Sequence, residues 1–274
     1  MPGEGRFHVG IGGWDFDPWR GTFYPPGLAK PKQLDYLGTR LNATEINATY
    51  YRTQSPALFQ KWAKAVPDGF KFAVKASRFC TNRRVLSEGA ESIGKFCGQG
   101  FTELGDKLGP ILWQLAPTKR FDADEMRDFL LLLPTSRDGI VLRHAIEPRH
   151  ESFKCREFVA MVRAANVAIV MAAHESYPQI ADVSADFVYA RLQCAREEEP
   201  AGYGEAELDL WAERAKAWAA GQSPAGLDYA SDAPAETRPR DVFAFFITQV
   251  RVARTGLKPR RLARKRRKSV AFSL

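Results

Sequence analysis

No run of about 18 apolar residues occurs anywhere in the 274-residue chain, so no segment is expected to span a membrane. The opening MPGEGRFHVGIGGW lacks a basic stretch followed by an apolar one, so no secretory signal is expected there. Cysteine is scarce: Cys80, Cys97, Cys155 and Cys194 are scattered and form no C-x-x-C pair. That argues against a disulfide framework and for reduced, mostly structural thiols in a cytoplasmic protein. The four histidines, His8, His144, His150 and His174, form neither H-x-H nor H-E-x-x-H. No metal site is therefore expected, and no cofactor is named. Gly10-x-Gly12-Gly13 lacks the full dinucleotide fingerprint and reads as a tight strand-to-loop turn.

Acidic residues are missing from one region only. Residues 251–274 hold ten of the 40 Lys and Arg and none of the 32 Asp and Glu, so the remaining 250 residues carry a net charge of −2 against +8 for the whole chain. The chain therefore divides into a near-neutral domain, 1–250, and a basic tail, 251–274, expected to be poorly packed. Such a tail offers a sequence-independent foothold for nucleic acid. A shifted reading frame past codon 247 would also produce it, and translating the other two frames checks that idea.

What the chain does have is alternation. β-Branched and aromatic runs at Phe7–Gly12, Ala43–Asn47, Phe70–Ser77, Pro110–Ala116, Gly139–Glu147, Val167–Ala172, Asp186–Gln193 and Asp241–Ile247 predict eight strands. Helical stretches lie between most of them. Ser55-Pro56 starts one, Asp122-x-x-Glu125 resembles a capping box for a second, Ser152 is the expected cap of a third, and Glu207–Ala220 is a fourth, ended by Gly221. Eight βα units in this length predict a TIM-like (β/α) barrel of about eight parallel strands rather than an open sheet. The short, proline-containing link from His174 to Ala185 predicts an irregular or missing helix between strands 6 and 7.

Both faces of a barrel strand are buried, so charged residues inside strands need a reason. Split by parity, five strands place Glu45 and Asn47, Lys71 and Lys75, Gln114, Arg143, Glu147 and Arg149, and Tyr189, Arg191 and Gln193 on the inward face. Barrel chemistry sits at the C-terminal strand ends. Counting Lys75, Arg143, Arg149 and Arg191 against Glu45 and Glu147 leaves two excess positive charges, which suits a phosphate or carboxylate. Glu45, Glu147 and His150 are the acid–base candidates; Trp14, Asn47, Tyr51, Lys75, Gln114, Arg149 and Arg191 are the ligand-binding candidates. Trp14, Trp19, Phe23, Tyr24, Tyr50 and Tyr51 form an aromatic cluster, read first as packing and second as a stacking wall. A structural ion-pair network plugging the barrel is the competing account of the charges.

Several segments resemble the domain of unknown function 72 (YecE-like) family. They are GIGGW at Gly10–Trp14, WRGTFYP at Trp19–Pro25, TEINATYYR at Thr44–Arg52, FKFAVKASRFCT at Phe70–Thr81, LGPILWQLAP at Leu108–Pro117, EPRHESF at Glu147–Phe153 and DFVYARL at Asp186–Leu192. The resemblance implies a TIM-like barrel and supplies no reaction. Asn82 and Ala173 stand where the resemblance leads one to expect histidine and an acid, and the likeness is expected to end near Ile247. The functional expectation is an enzyme (a hydrolase, lyase or isomerase) or a binding protein for a small anionic or sugar-like ligand. A nucleic-acid-binding or nucleic-acid-processing barrel is the alternative.

Overall fold

The computed structural model describes residues 5–199 and 202–247. The basic tail and the reading-frame question lie outside the described residues. Eight parallel strands close into a barrel, each bonded to its chain neighbours and the last to the first. They are β1 (Phe7–Ile11), β2 (Ala43–Ile46), β3 (Lys71–Lys75), β4 (Leu108–Gln114), β5 (His144–Glu147), β6 (Ala168–Ala173), β7 (Phe187–Leu192) and β8 (Asp241–Phe246).

Side-chain volume explains why these strands close around a filled lumen. Ala43, Ala73, Ala145 and Ala168 point inward from β2, β3, β5 and β6, leaving room for Phe187 and Tyr189 of β7 and Phe243 and Phe245 of β8. Small residues opposite large ones fill a tapering interior without voids. Gly10 is required on β1, because a Cβ there would lie 2.2 Å from the Ala43 carbonyl oxygen. The opposite parity, including Phe72, Val74, Trp113, Ile146 and Met171, packs against the outer helices.

Those helices are α1 (Gln33–Gly38), α2 (Ala48–Tyr51), α3 (Pro56–Lys64), α4 (Arg78–Thr81), α5 (Ala90–Cys97), α6 (Ala123–Leu131), α7 (Arg156–Ala164) and α8 (Glu205–Ala219). Ser55 caps α3 by accepting from the Leu58 amide, and Asp122 caps α6 by accepting from Glu125. Such caps contribute about 1 kcal/mol each. Residues 174–186 contain no helix, so β6 reaches β7 through an irregular link.

Three local expectations need correction. Residues 139–143 do not extend β5. Asp138 and Gly139 both take positive φ (51° and 77°) and turn a two-residue hairpin, Ser136–Arg137 against Ile140–Val141, as Asp-Gly pairs favour. Ser152 does not cap α7: it sits in the 3₁₀ turn Glu151–Phe153, whose cap is the His150 side chain. Glu125 does not complete a capping box; its carboxylate binds the Leu86 amide (2.5 Å) and Lys119 (2.8 Å).

Candidate functional site

At the C-terminal end of the barrel the inward charges form a closed layer. Arg191 of β7 grips Glu45 of β2 with two bonds, Nε to Oε1 at 3.0 Å and Nη2 to Oε2 at 3.1 Å. Its remaining terminal nitrogen reaches Glu147 of β5 at 2.6 Å. The Tyr189 hydroxyl donates to Glu45 (2.8 Å), Gln114 donates to Glu147 (2.8 Å), and Arg149 donates through Nε to Glu147 (3.1 Å). Glu45, Glu147 and Arg191 are at most 3% exposed.

Buried charges persist only when paired in this way. Burial alone would raise the Glu147 pKa, but Arg191 and Arg149 hold it down at about 2. Burial raises the Tyr189 phenol, and the Glu45 carboxylate pushes it further, so it stays protonated and donates. This layer is the ion-pair plug that competed with the ligand account in the sequence.

Above the plug the accounting changes. Ile46 pairs with Val74, so the next residues, Asn47 and Lys75, leave the β2–β3 ladder side by side. Lys75 is half-buried, and its carbonyl is fixed by the Thr49 hydroxyl (2.6 Å). Its ammonium lies 4.3 Å from the centroid of the Tyr50 ring and, among the described residues, within 4 Å of no carboxylate. Burial chiefly, and then Arg191, lower its pKa to about 8. Asn47 Oδ1 and both polar atoms of Gln193, which follows β7, are shielded from solvent and have no hydrogen-bond partner among the described residues. Across the mouth Arg149 lies over Tyr177, 4.4 Å from its centroid, and Tyr177 stacks on His174 at 4.0 Å.

The structure thus brings together Glu45, Glu147, Gln114, Arg149 and Arg191 in one network, with Lys75 and Asn47 on its rim. It does not bring the other candidates there. His150 Nδ1 accepts from the Ser152 amide (3.1 Å), which ties the ring to its own turn. Trp14 packs edge-on against Trp62 and Phe72 on the helix side. Tyr51 is 65% exposed, and its neighbour Tyr50 is the ring that faces Lys75. Arg143 lies at the opposite, N-terminal end, paired with Asp241 at 2.9 Å. Removing it leaves Lys75, Arg149 and Arg191 against two glutamates, one excess positive charge instead of two.

Sequence reasoning passed over Tyr177 and the partnerless state of Gln193, and named Tyr50 only within the aromatic cluster, not as the ring beside Lys75. Parity places Gln193 inward with Arg191, but it is not among the ligand-binding candidates. The tyrosines sit beyond the strands, where alternation carries no information. Also unforeseen is an open cleft of about 710 Å³ between the loops after β3 and β4, lined by Arg83, Arg84, Lys119, Arg120, Asp122 and Glu125. Arg84 and Arg120 are exposed there. A separate, mostly apolar cavity of about 310 Å³ lies outside the barrel, between α8 and the outer faces of β1, β7 and β8, away from these charges. Among the described residues no group of three or more His, Cys, Asp or Glu could hold a metal.

Fold and charge layout define the class: a TIM-type (β/α) barrel with a salt-bridged plug under a polar mouth. The chain belongs to the family described as "Protein of unknown function DUF72", whose sequence model matches residues 8–256 and so runs past Ile247, where the likeness was expected to end. It is 32% identical over 78 residues to the UPF0759 protein YunF of Bacillus subtilis (strain 168). That match spans 28% of this chain and about a quarter (26%) of the relative's length. A DUF72 family protein (TM1631) from Thermotoga maritima superposes with a TM-score of 0.71 at 19% identity, covering 96% of this chain and 100% of the other. One from Enterococcus faecalis (EF0366) gives 0.65 at 15% identity, covering 100% of both chains. At such identities these structures speak for the fold alone. No helix among the described residues is long and apolar enough to cross a membrane.

Proposed function

We propose that the mouth of the barrel binds a small anionic or sugar-like molecule. Lys75 and Arg149 meet its charge, and the amides of Asn47 and Gln193 bind its hydroxyl or carbonyl oxygens. The observation that carries this reading is the group of partnerless polar atoms on one rim: Asn47 Oδ1, Gln193 Oε1 and Nε2. An unpaired buried polar atom costs about 1–3 kcal/mol. These atoms stand directly above a layer in which the buried charges are matched, and their deficit is one of several, since His8 and Gln33 also carry partnerless buried atoms elsewhere. A ligand that supplies the missing partners removes it. On this reading Glu45, Glu147 and Arg191 position the rim, with Glu147 ionised at neutral pH. The free state of all four cysteines supports a reducing, cytoplasmic setting.

The test is a thermal-shift series of the full-length protein with inorganic phosphate, glycerol 3-phosphate and malate. The expected result is a rise in Tm with at least one of these, lost in Lys75→Met. No rise with any of them, or a rise that Lys75→Met leaves intact, contradicts the reading.

The basic cleft favours a second reading, a nucleic-acid-binding barrel, because Arg84 and Arg120 stand exposed at the same face. Binding of a labelled single-stranded oligonucleotide that falls steeply with salt, and is weakened in Arg84→Ala/Arg120→Ala, would favour it. Binding unchanged in that double variant would assign any affinity to other basic residues and remove the cleft as support.

A further inference from the structure

Lys75 differs from the chain's other described amines in its surroundings. Lys30, Lys32, Lys119, Lys154 and Lys216 each lie within 3 Å of a carboxylate, Lys71 and Lys107 donate to backbone carbonyls, and Lys61, Lys64 and Lys95 are unpaired among the described residues but exposed to water. Lys75 is fixed at the end of a barrel strand, is half-buried, and rests on an aromatic face with no bond to its nitrogen among the described residues. Nearby glutamates are engaged by Arg191, whose positive charge faces the amine. A lysine becomes a nucleophile when it is withdrawn from water and set beside another cation.

We infer that Lys75 forms an imine with the carbonyl of a small anionic aldehyde or ketone bound in the mouth, which would make the site that of a carbonyl-processing enzyme. This rests on the small-anion reading above and adds the substrate class. The neutral amine attacks the carbonyl carbon, and the carbonyl oxygen takes up a proton as the nitrogen loses one, giving a carbinolamine. That hydroxyl then leaves as water while the nitrogen gives up its second proton, so one carbonyl and one amine become one imine and one water. Among the partnerless atoms, Gln193 Nε2 can donate to a ligand oxygen as this happens, and Asn47 Oδ1 and Gln193 Oε1 can accept from a ligand hydroxyl.

The protonation state fits the step. Groups facing Lys75 are Arg191 from β7, Glu45 from β2, and Glu147 and Arg149 from the end of β5; burial comes first among the effects, and the net result is a pKa of about 8. Roughly a fifth of Lys75 is then free amine at about pH 7.4, against about one part in a thousand for an ordinary lysine.

The experiment incubates full-length protein with dihydroxyacetone phosphate or pyruvate and cyanoborohydride, then maps adducts by peptide mass spectrometry. In parallel, glycerol 3-phosphate and malate, which carry no ketone or aldehyde, are titrated by thermal shift. The expected result is an adduct on Lys75 at least tenfold above that on Lys30 or Lys154. It should rise with pH to a midpoint near 8 and be absent in Lys75→Arg, while the surface adducts stay unchanged. Adducts spread over surface lysines, with Lys75 unmodified, overturn the inference. If the non-carbonyl anions still raise Tm in that case, the binding reading survives alone. If they do not, both fall. Circular dichroism of Lys75→Arg confirms that a lost adduct is not lost fold.

Discussion

The two ends of the barrel solve the same problem differently. At the C-terminal end the charges of the plug are buried and paired: Arg191 spans two glutamates, and Gln114, Tyr189 and Arg149 occupy further oxygen positions. At the N-terminal end one charged pair stays near water, while the buried Arg240 donates to the backbone carbonyls of Ala185, Arg238 and Glu236. Arg143 and Asp241 pair at 2.9 Å with side chains 38% and 25% exposed, and Lys71 donates to the Asp106 carbonyl. His8, also buried there at 4% exposed, stacks on Phe243 at 4.5 Å and has no partner for either ring nitrogen among the described residues. Burial pushes its pKa down to about 4, so it stays neutral at pH 7. Partnerless atoms therefore occur at both ends, and their company distinguishes them. His8 is a single neutral ring against a phenylalanine. The C-terminal strand ends gather two amides and an unpaired amine.

The comparison breaks first at Arg191. Arg191→Met leaves Glu45 and Glu147 buried without their cation, and urea unfolding should show a loss of about 3–5 kcal/mol. A loss below about 1 kcal/mol would mean that the plug is far wetter than its burial indicates.

Acid separates the ends next. The folded-state pKa of His8 lies below its unfolded value of 6.5, so the unfolded chain binds the proton more readily. Stability should be fully present above pH 6.5 and fall as pH drops toward 4, by up to about 3 kcal/mol. Glu147, held near 2 against an ordinary 4.5, adds its own loss only below about pH 4.5. His8→Phe should flatten the upper window, leave the lower one, and leave anion binding unchanged. An unchanged slope between pH 6.5 and 4.5 would clear His8 of the effect.

Smaller effects sharpen the contrast. Arg143→Met should cost less than about 1 kcal/mol by the same unfolding assay, because an exposed pair contributes little. Asn47→Leu should change stability least, staying neutral or gaining slightly, since an unpaired polar atom is replaced by an apolar group of similar size. The same variant should lose the anion-induced rise in Tm. A large loss of stability in Asn47→Leu would instead give Asn47 a structural role.

Much of this was legible in the chain. Alternation located eight strands, and parity identified Glu45, Gln114, Glu147 and Arg191 as inward, because a buried strand has only two faces. Parity says nothing about height along the lumen once a strand's start is misplaced. The hairpin at Asp138-Gly139 therefore carried Arg143 to the wrong end of the charge count. His150 looked catalytic by composition, yet one backbone bond to Ser152 holds it in its turn. Tyr50 sits in the single-turn helix α2, too short to show a period, and the cleft around Arg84 and Arg120 depends on loop conformation, which has none to read.

The central claim is that the mouth, and not the plug, meets the ligand. Calorimetric titration of the full-length protein, Lys75→Met and Asn47→Leu with inorganic phosphate, glycerol 3-phosphate and malate tests it most directly. Saturable one-to-one binding of at least one anion, weakened tenfold or more in both variants, is the predicted result. Absence of binding by all three anions, or equal affinity in all three proteins, would contradict it.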